Sequence, residues 1–410
     1  MKICQINCVY ATGSTGKIVK ILHNQSLMCG DESLVIHSIK NKRAKDNNVY
    51  GISCRILSKI TAACRMALGD PFGGARIQTT KLLSILKHEA PDVVHLHCIN
   101  GNNINVYRLM KYLALNNIRT ILTLHAEFPY TGGCAHAFDC EKWKTGCEKC
   151  LRFKEETRSL FFDRTEYIWK KQKKCFDLFD PQNITIVAVS PWLKVRAMQS
   201  PMLNRFNICT VFNGTDTKTF FKKDDIDHIR IKYKLPLDEK IILHVTAYFD
   251  SLDYEAKGGR YIIDLAERLK NEKVKIVVAA TRTNVKELPD NVILIGRTET
   301  QDELASLYSL SNLTVITSMR ETFSMPVSES LCCGTPVVGF LAGGPESIAI
   351  DRVTEFVEYG DTDSLYKAVK KFLDIEFDRE SICREAKSVY SENEMYMGYK
   401  NIYLKLINGD

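Results

Sequence analysis

The sequence is organised around the stretch VITSMRETFSMPVSESLCCGTPVVGFLAGGPES, residues Val315–Ser347. It opens with an apolar, β-rich run and then turns through a polar loop. Ser324 suits the N-cap of a short helix, Pro326 its first turn and Gly334 its C-terminal stop. A second buried strand follows and leads into paired glycines. The order strand, loop, helix, strand predicts a segment of a parallel α/β sheet.

The same stretch has the chemistry of a binding site. A helix start presents free N–H groups beside a glycine-bearing loop, an arrangement that favours phosphate. Two carboxylates, Glu321 in the loop and Glu329 on the helix, could hold sugar hydroxyls. We therefore expect a ligand that carries both phosphate and sugar.

Length and composition bound the wider interpretation. A chain of 410 residues is too long for one ordinary core, which favours two domains. The net charge of +7 fits an anionic ligand or an anionic membrane surface but not a dedicated nucleic-acid binder. No apolar run approaches the ~20 residues of a transmembrane helix, and no secretory leader is visible. Fifteen scattered cysteines then indicate reduced thiols and a cytoplasmic location.

The amino-terminal half begins with a predicted strand from Ile3 to Tyr10 and a glycine-bearing loop, Ala11–Lys17, before an amphipathic helix. The loop lacks the spacing of a P-loop. Gly13 and Gly16 could let the backbone approach a ligand, or they could simply make a tight turn.

Two further predicted strands, Pro91–His97 and Thr120–His125, carry polar residues at their carboxyl ends. Strands that alternate with helices predict a doubly wound parallel sheet, in which ligands bind beyond the carboxyl ends of the strands. The polar residues expected at that edge are His95, His97, Asn100 and His125.

A cysteine-rich segment follows, with the spacing Cys-x5-Cys-x6-Cys-x2-Cys, formed by Cys134, Cys140, Cys147 and Cys150. Four thiols within about twenty residues could bind a structural zinc ion, although the spacing lacks a second CxxC pair. They could equally be free thiols in a loop. The basic, aromatic stretch Phe153–Phe179 is predicted to be helical, and could contact a membrane surface or cover a core.

The turn chemistry of Asn213–Asp216 marks a domain boundary, after which strands and helices alternate again. The prediction is two Rossmann-like domains, 1–212 and 213–391, facing each other across a cleft. A C-terminal helix at about 392–410 could pack back on the first domain.

These residues resemble the family 4 retaining glycosyltransferases of the GT-B fold. The resemblance rests on five motifs, which are Glu321-x7-Glu329, Gly334–Val338, Asn213-Gly214-x-Asp216-x3-Phe220, Lys257-Gly258 and Gly343–Glu346. In the amino-terminal half, Gly-Ser-Thr-Gly, His-Leu-His, Thr131–Cys134 and Trp143–Cys147 resemble the capsule and exopolysaccharide branch.

The resemblance implies roles for these residues. Glu321 would contact the donor sugar, assisted by backbone N–H groups around Phe323, Ser324 and Met325, while Glu329 holds the ribose hydroxyls. Lys257 and the N-terminus of the helix after Ser324 would neutralise the leaving diphosphate. Further donor contacts are implied for His125, Gly13 and Gly16, and for Arg297 and Thr298 at the base.

The implied reaction is metal-independent, retaining transfer of a hexose from a nucleotide sugar, expected to be UDP-linked. The acceptor would be a glycan or lipid-linked glycan in bacterial surface polysaccharide synthesis, at the inner face of the cell membrane. No catalytic cofactor and no nucleic-acid partner are expected. One departure concerns the usual phosphate-binding arginine, which the stretch His244–Asp250 lacks. Arg320, Arg282 or Arg260 could replace it.

Two alternatives remain open at this point. A nucleotide-sugar epimerase could have the same architecture and would need no acceptor. A zinc-bearing nucleic-acid-binding protein could use the cysteines and the basic helix, but it would leave the carboxyl-terminal half unexplained.

Overall fold

The computed structural model describes residues 1–39, 46–100, 103–252, 256–285 and 287–409. The chain divides into two compact units. The first comprises Met1–Phe212 together with Met395–Asp410, and the second comprises Asn213–Glu394.

The first unit alternates strands and helices along the chain. Its strands are β1 (Lys2–Asn7), β2 (Glu32–His37), β3 (Val49–Gly51), β4 (Val93–Leu96), β5 (Thr120–Leu124), β6 (Ile184–Ala188) and β7 (Asn207–Thr210). Its helices are α1 (Gly13–Met28), α2 (Arg55–Leu68), α3 (Arg76–Glu89), α4 (Val106–Leu115), α5 (Phe153–Thr157), α6 (Thr165–Phe176) and α7 (Pro191–Met198).

Within the described residues, the strands of the first unit form one seven-stranded sheet in the order β3-β2-β1-β4-β5-β6-β7. All neighbouring strands are parallel, and Ile3 in β1 pairs with Val93 in β4. The strand order reverses between β1 and β4. In such sheets the ligand site lies beyond the carboxyl ends of the strands at this switch point.

The second unit repeats the pattern. Its strands are β8 (Lys240–Asp250), β9 (Val274–Asn284), β10 (Val292–Leu294), β11 (Leu313–Ile316), β12 (Val337–Phe340) and β13 (Thr354–Val357). Its helices are α8 (Asp227–Tyr233), α9 (Gly259–Arg268), α10 (Gln301–Leu310), α11 (Met325–Cys332), α12 (Gly344–Ser347), α13 (Thr362–Asp374) and α14 (Arg379–Tyr390). In the part of the chain that is described, the sheet has six strands in the order β10-β9-β8-β11-β12-β13, again parallel throughout. The switch point lies between β8 and β11.

The last helix, α15 (Glu392–Asn408), packs on the first unit from Met395 onward. It buries residues at helical spacing, which are Met395, Tyr396, Tyr399, Tyr403 and Leu406. These side chains join a core cluster with Ile3 of β1, Val93 of β4 and Ile121 of β5. A stripe of this spacing is what a helix needs to cover one face of a sheet.

Two local predictions are wrong. Most of the predicted loop Ala11–Lys17 is the first turn of α1, which begins at Gly13. Ala11 takes a left-handed conformation (φ 58°), and its N–H donates to the Gly16 carbonyl at 2.9 Å. The chain therefore turns directly into the helix, without an extended loop. The predicted single helix Phe153–Phe179 is broken after Thr157, where Arg158 is also left-handed.

No helix in the described ranges is both long enough and apolar enough to cross a membrane.

Candidate active site

The loop after β11 lies against the segment that precedes α9. The Thr317 hydroxyl donates to the Lys257 carbonyl at 3.0 Å, and the Met319 N–H donates to the Ala256 carbonyl at 2.8 Å. Between them, Gly258 has a φ of +70°, and a Cβ there would lie 2.1 Å from the Thr317 carbonyl oxygen. Only glycine fits this contact. The Lys257-Gly258 motif therefore fixes the lysine beside the loop.

The loop and the lysine meet in an ion pair. Lys257 Nζ lies 2.5 Å from Glu321 Oε1, and the two side chains keep 34% and 20% of their surface exposed. The Glu321 backbone forms two hydrogen bonds with the segment after β12. Its N–H donates to the Ala342 carbonyl at 3.0 Å, and its carbonyl accepts from the Gly344 N–H at 2.9 Å. The charged pair is thus rigidly supported yet still open to a ligand.

The glycine pair after β12 allows this close approach. A Cβ on Gly344 would lie 2.5 Å from the Phe323 N atom. Glu346 accepts from the N–H groups of Gly343 at 2.6 Å and Ala342 at 3.0 Å. The carboxylate of the Gly343–Glu346 motif therefore shapes the loop and is committed to backbone groups.

Ser324 occupies the predicted N-cap position of α11, but its side chain accepts no capping bond. It adopts φ 84° and ψ 88°, a left-handed conformation that costs free energy for a non-glycine residue. The prediction of side-chain capping is wrong because this backbone geometry directs the hydroxyl elsewhere. The N–H groups of the first turn, around Met325, therefore receive no cap from the Ser324 side chain.

The far end of α11 agrees with the sequence prediction. Gly334 follows the C-cap residue Cys333 with a φ of +76°. Glu329 lies one turn before this end, and its Oε2 accepts from the buried Tyr308 hydroxyl at 3.3 Å. Burial raises the pKa of Tyr308 well above its usual value, and the Glu329 carboxylate adds to the effect. The phenol thus stays protonated and orients Glu329.

The residues predicted at the base follow β10. Gly296 (φ +70°) accepts from the Ala280 N–H at 3.1 Å and turns the chain, leaving Arg297 exposed and Thr298 partly exposed. Their role stays a prediction.

The three candidate replacements for the missing arginine lie at different places. Arg320 directly precedes Glu321 in the loop. Arg260 lies at the start of α9 and donates to the Tyr261 hydroxyl at 2.6 Å. Arg282 is exposed on β9, in register with Tyr248 of β8. Which of them contacts phosphate stays open to experiment.

His244, in the middle of β8, is a residue that the sequence argument did not assign to the site. Its Nδ1 contacts the Val315 carbonyl at 3.0 Å, and its buried Nε2 has no hydrogen-bond partner among the described residues. Burial lowers its pKa to about 4, and the Lys257 charge contributes in the same direction. A histidine in the middle of a largely apolar strand was the available signal.

In the first unit, two of the predicted histidines meet at the carboxyl edge of the sheet. His97 Nδ1 lies 3.1 Å from His125 Nε2, and the two rings stack with centroids 5.4 Å apart. Burial lowers the pKa of His125 to about 4 and that of His97 well below 6.5, so both rings are neutral at neutral pH. One ring must donate to the other, so the tautomers of the two rings are coupled.

His95 does not lie at the open edge where the sequence placed it. Its ring bonds to the Tyr403 hydroxyl and to the Thr123 hydroxyl, each at 2.8 Å, and it is fully buried beneath α15. The ring also stacks on His97 with a centroid distance of 3.9 Å. His95 therefore supports His97 from below.

The start of α1 follows β1 at the same edge. Gly16 leaves little room, since a Cβ there would lie 3.1 Å from Val9 Cγ2. Asn7, which the sequence argument did not single out, accepts from the Cys98 N–H at 3.0 Å and donates to the Val9 carbonyl at 2.8 Å. It ties the ends of β1 and β4 to the turn that contains Gly13.

The four cysteines do not form a recognisable metal site. In the described residues, no three His, Cys, Asp or Glu side chains are grouped so that they could hold a metal ion. The buried Cys147 accepts from the Gly132 N–H at 3.1 Å, whereas Cys140 is exposed. Burial raises the pKa of both Cys134 and Cys147, which favours neutral thiols. The zinc prediction gains no support from this arrangement.

Comparison with known proteins shows which family the second unit resembles. Residues 225–389 match the model of the family described as glycosyl transferases group 1. The matched segment, fewer than half of the 410 residues, is similar to the group 1 glycosyl transferases. It contains most of the second unit, including the ion pair between Lys257 and Glu321.

Two curated relatives extend this match. The chain is 21% identical to the putative colanic acid biosynthesis glycosyl transferase WcaC of Escherichia coli (strain K12), over 99% of this chain and 100% of that one. It is 26% identical to the N-acetyl-alpha-D-glucosaminyl L-malate synthase of Bacillus anthracis, over 50% of this chain and 55% of the relative. The second alignment thus spans little more than half of the relative.

Solved structures share the fold. Sucrose-phosphate synthase from Thermosynechococcus elongatus superposes with a TM-score of 0.70 at 15% identity, covering 100% of both chains. Anabaena Alr3699/HepE in complex with UDP-glucose superposes with a TM-score of 0.64 at 13% identity, covering 98% of this chain and 99% of that one. The predicted α/β fold of the GT-B glycosyltransferases is confirmed, and the epimerase alternative is not supported.

Proposed function

We propose that this protein is a retaining glycosyltransferase that moves a sugar from a nucleotide-sugar donor to a glycan or lipid-linked glycan. The donor is UDP-linked, and the product contributes to a bacterial surface polysaccharide. The observation that carries the proposal is the partly exposed Lys257–Glu321 ion pair, whose glutamate lies four residues before the start of α11 at Met325. The resemblance to WcaC supports the polysaccharide assignment.

In this proposal Lys257 and the start of α11 stabilise the leaving group. Negative charge develops on the nucleoside diphosphate as the bond to the sugar breaks. Fixed cations and backbone N–H dipoles that face this charge lower the barrier without reorganising. No metal ion takes part in catalysis.

Glu321 positions the sugar. Its carboxylate pairs with Lys257, so a diphosphate that binds the lysine would compete for this contact and leave the carboxylate oxygens to accept from sugar hydroxyls. We assign Glu321 no nucleophilic role. Glu329, oriented by Tyr308, accepts from the ribose hydroxyls, and the backbone of Phe323, Ser324 and Met325 donates to the donor. Arg297 and Thr298 contact the base.

In the first unit, the proposal assigns substrate contacts to His125 and to the backbone at Gly13 and Gly16. The neutral His125 ring can donate one hydrogen bond to a sugar oxygen without adding charge. His97 positions it through the contact between Nδ1 and Nε2. A lipid-linked acceptor would bring the protein to the cytoplasmic face of the cell membrane.

The first test is a thermal-shift panel of nucleotide sugars, because a ligand that binds the folded state raises the melting temperature. We expect UDP-sugars to raise it and the corresponding free sugars to leave it unchanged. A panel in which no nucleotide or nucleotide sugar changes the melting temperature would contradict the proposal.

The second test removes the Glu321 carboxylate. Glu321→Ala should lower sugar transfer by roughly 100-fold or more, the scale of losing one preorganised electrostatic group, while the protein still folds. Glu358→Ala, an exposed carboxylate in the same unit, is the matched control and should keep full activity. Full transfer by Glu321→Ala would remove Glu321 from the site.

A further inference from the structure

Helix α2 of the first unit buries none of its side chains. Its sequence, RILSKITAACRMAL, nevertheless includes large apolar residues. Ile56 and Ile60, one turn apart, expose 71% and 54% of their surface. A surface helix normally turns its apolar residues towards the core. On α2, Ile56 and Ile60 instead face solvent, while Leu57 is half-buried.

A second exposed apolar segment lies directly beside α2. The loop between α5 and α6 presents Leu160, Phe161 and Phe162, and Phe161 is 70% exposed. The Leu160 N–H donates to the Met66 carbonyl at 2.9 Å, and Arg65 Nε donates to the Thr157 carbonyl at 2.8 Å. The loop is therefore attached to the end of α2. We call the combined surface the apolar patch, formed by Ile56, Ile60, Leu68, Leu160, Phe161 and Phe162.

Cations accompany the patch. Helix α2 carries Arg55, Lys59 and Arg65 and no acidic residue. The nearby Asp163 is exposed, and its carboxylate accepts from the Cys150 N–H at 2.6 Å and the Thr165 N–H at 3.0 Å. It is one negative charge beside the three cations of α2. The surface that borders the patch is thus both apolar and positively charged.

A basic depression continues this surface along α6. Arg164 and Lys171 both lie over the exposed Tyr167 ring, at 5.6 Å and 5.0 Å from its centroid. Beyond them lies an open depression of about 660 Å³, whose cations are Arg76, Arg108, Lys111, Lys171 and Lys174. Among the described residues, only Lys171 of these five has a carboxylate within ion-pair distance, Asp70 at 3.6 Å.

We propose that the apolar patch and the basic depression dock the protein on the surface of an anionic lipid bilayer. Phe161, Phe162 and the apolar residues of α2 enter the interface, and the cations contact lipid phosphates. Aromatic and aliphatic side chains bordered by lysine and arginine are the combination that binds such interfaces. A membrane-spanning anchor is not needed for this mode of contact.

The positive charge around the apolar patch argues against a second copy of the chain as the binding partner of this surface. In a symmetric dimer the same patch would face itself, and its cations would face cations. The net charge of +7 adds to the repulsion. An anionic bilayer supplies the opposite charge together with an apolar interior.

Vesicle flotation tests the proposal without donor or acceptor, so its outcome is independent of sugar transfer. The full-length protein should float with phosphatidylglycerol-containing vesicles at low salt and much less with pure phosphatidylcholine vesicles. The double variant Phe161→Ser, Phe162→Ser should bind about tenfold more weakly or worse, because its apolar contribution is lost. The matched control, Ile231→Ser with Leu237→Ser, alters residues that are 78% and 83% exposed in the second unit and should bind like wild type.

A charge variant provides a second measurement if the aromatic variant unfolds. Arg108→Glu with Lys111→Glu should abolish the preference for anionic vesicles and remove its salt dependence. Equal flotation with neutral vesicles, or unchanged binding of both variants, would overturn the proposal. So would a wild-type dimer that the aromatic variant dissociates, or RNA binding that the charge variant removes while vesicle binding persists.

Discussion

At the scale of single residues, Gly258 determines where the key charge lies. The absence of a Cβ lets the backbone touch Thr317, and this contact places Lys257 within 2.5 Å of Glu321. A lysine on a flexible loop would lose backbone conformational freedom when it binds phosphate. Here the backbone is already fixed, so most of that cost is paid on folding.

The first residue-scale prediction concerns Lys257. Lys257→Ala should weaken UDP binding by roughly 1.5–3 kcal/mol, the scale of a charge-assisted hydrogen bond, as measured by isothermal titration calorimetry. Lys257→Arg, which keeps the charge, should lose less. Lys273→Ala, which removes an 82% exposed lysine from the same unit, serves as the control. Unchanged affinity in Lys257→Ala would show that another cation holds the phosphates.

At the scale of elements, α15 illustrates how one helix completes a unit from a distance in the sequence. Its tyrosines cover the sheet of the first unit, and Tyr403 bonds to His95 at 2.8 Å. Because His95 stacks on His97, and His97 contacts His125, the helix supports the histidine edge through packed rings. The amphipathic spacing predicted a helix, but not its polar contacts.

The element-scale prediction uses this helix. Tyr403→Ala should lower the free energy of unfolding by about 3–5 kcal/mol, as expected for a buried aromatic residue. Tyr403→Phe keeps the packing but leaves His95 Nδ1 unpaired, and should cost about 1–3 kcal/mol. Leu404→Ala, at a 42% exposed position, is the control. Thermal unfolding followed by circular dichroism would measure all three. Equal melting temperatures for Tyr403→Ala and the control would contradict this role of α15.

At the scale of the whole molecule, several buried histidines link stability to pH. Burial lowers the pKa of His125 and His244 to about 4, and those of His95 and His97 still fall well below 6.5. The unfolded chain binds protons near the ordinary value of 6.5. The folded chain does so only at lower pH, so these groups reduce stability as the pH falls from 6.5 towards 4.

One carboxylate acts in the opposite direction. Burial raises the pKa of Glu392 to about 7, with a contribution from Asp216. The folded state therefore takes up this proton at higher pH than the unfolded state, and stability increases as the pH falls through this window. Net stability alone thus cannot isolate the histidines.

The prediction for the whole molecule therefore compares how steeply the free energy of unfolding changes with pH in wild type and in a histidine variant. Between pH 6.5 and 4, the free energy of unfolding of His244→Gln should fall less steeply than that of wild type. The accumulated difference should be on the order of 3 kcal/mol, for a shift of this size at a buried group. Urea unfolding at several pH values would measure it. Parallel curves for the two proteins would mean that His244 titrates normally in the folded state.

Much of the fold could be predicted from the sequence because its signals are local. Alternating strands and helices, with polar residues at strand ends, indicated parallel sheets and their ligand edges. The positions of α11 and of Gly334 also followed from local chemistry. By contrast, the uncapped, left-handed Ser324 was missed, because its conformation is imposed by the loop around it.

Two other predictions were wrong for the same reason, which is that tertiary contacts set the local structure. His95 looked like its neighbour His97, and only the packing of α15 distinguishes the ring that bonds to Tyr403 from the ring that contacts His125. The basic stretch after Phe153 was predicted as one helix, although Arg158 and Asp163 break it. That break is what exposes Phe161 and Phe162.

The α/β class, and the residues proposed to bind phosphate and sugar, could be predicted from the sequence, since periodicity and motif spacing are properties of neighbouring residues. Only the tertiary structure decided which of these groups meet. The 2.5 Å contact of Lys257 with Glu321 joins residues 64 positions apart, and the contact of His95 with Tyr403 joins residues 308 positions apart. Such contacts depend on how whole elements pack, because a side chain's partners are set by the sheet and helices around it.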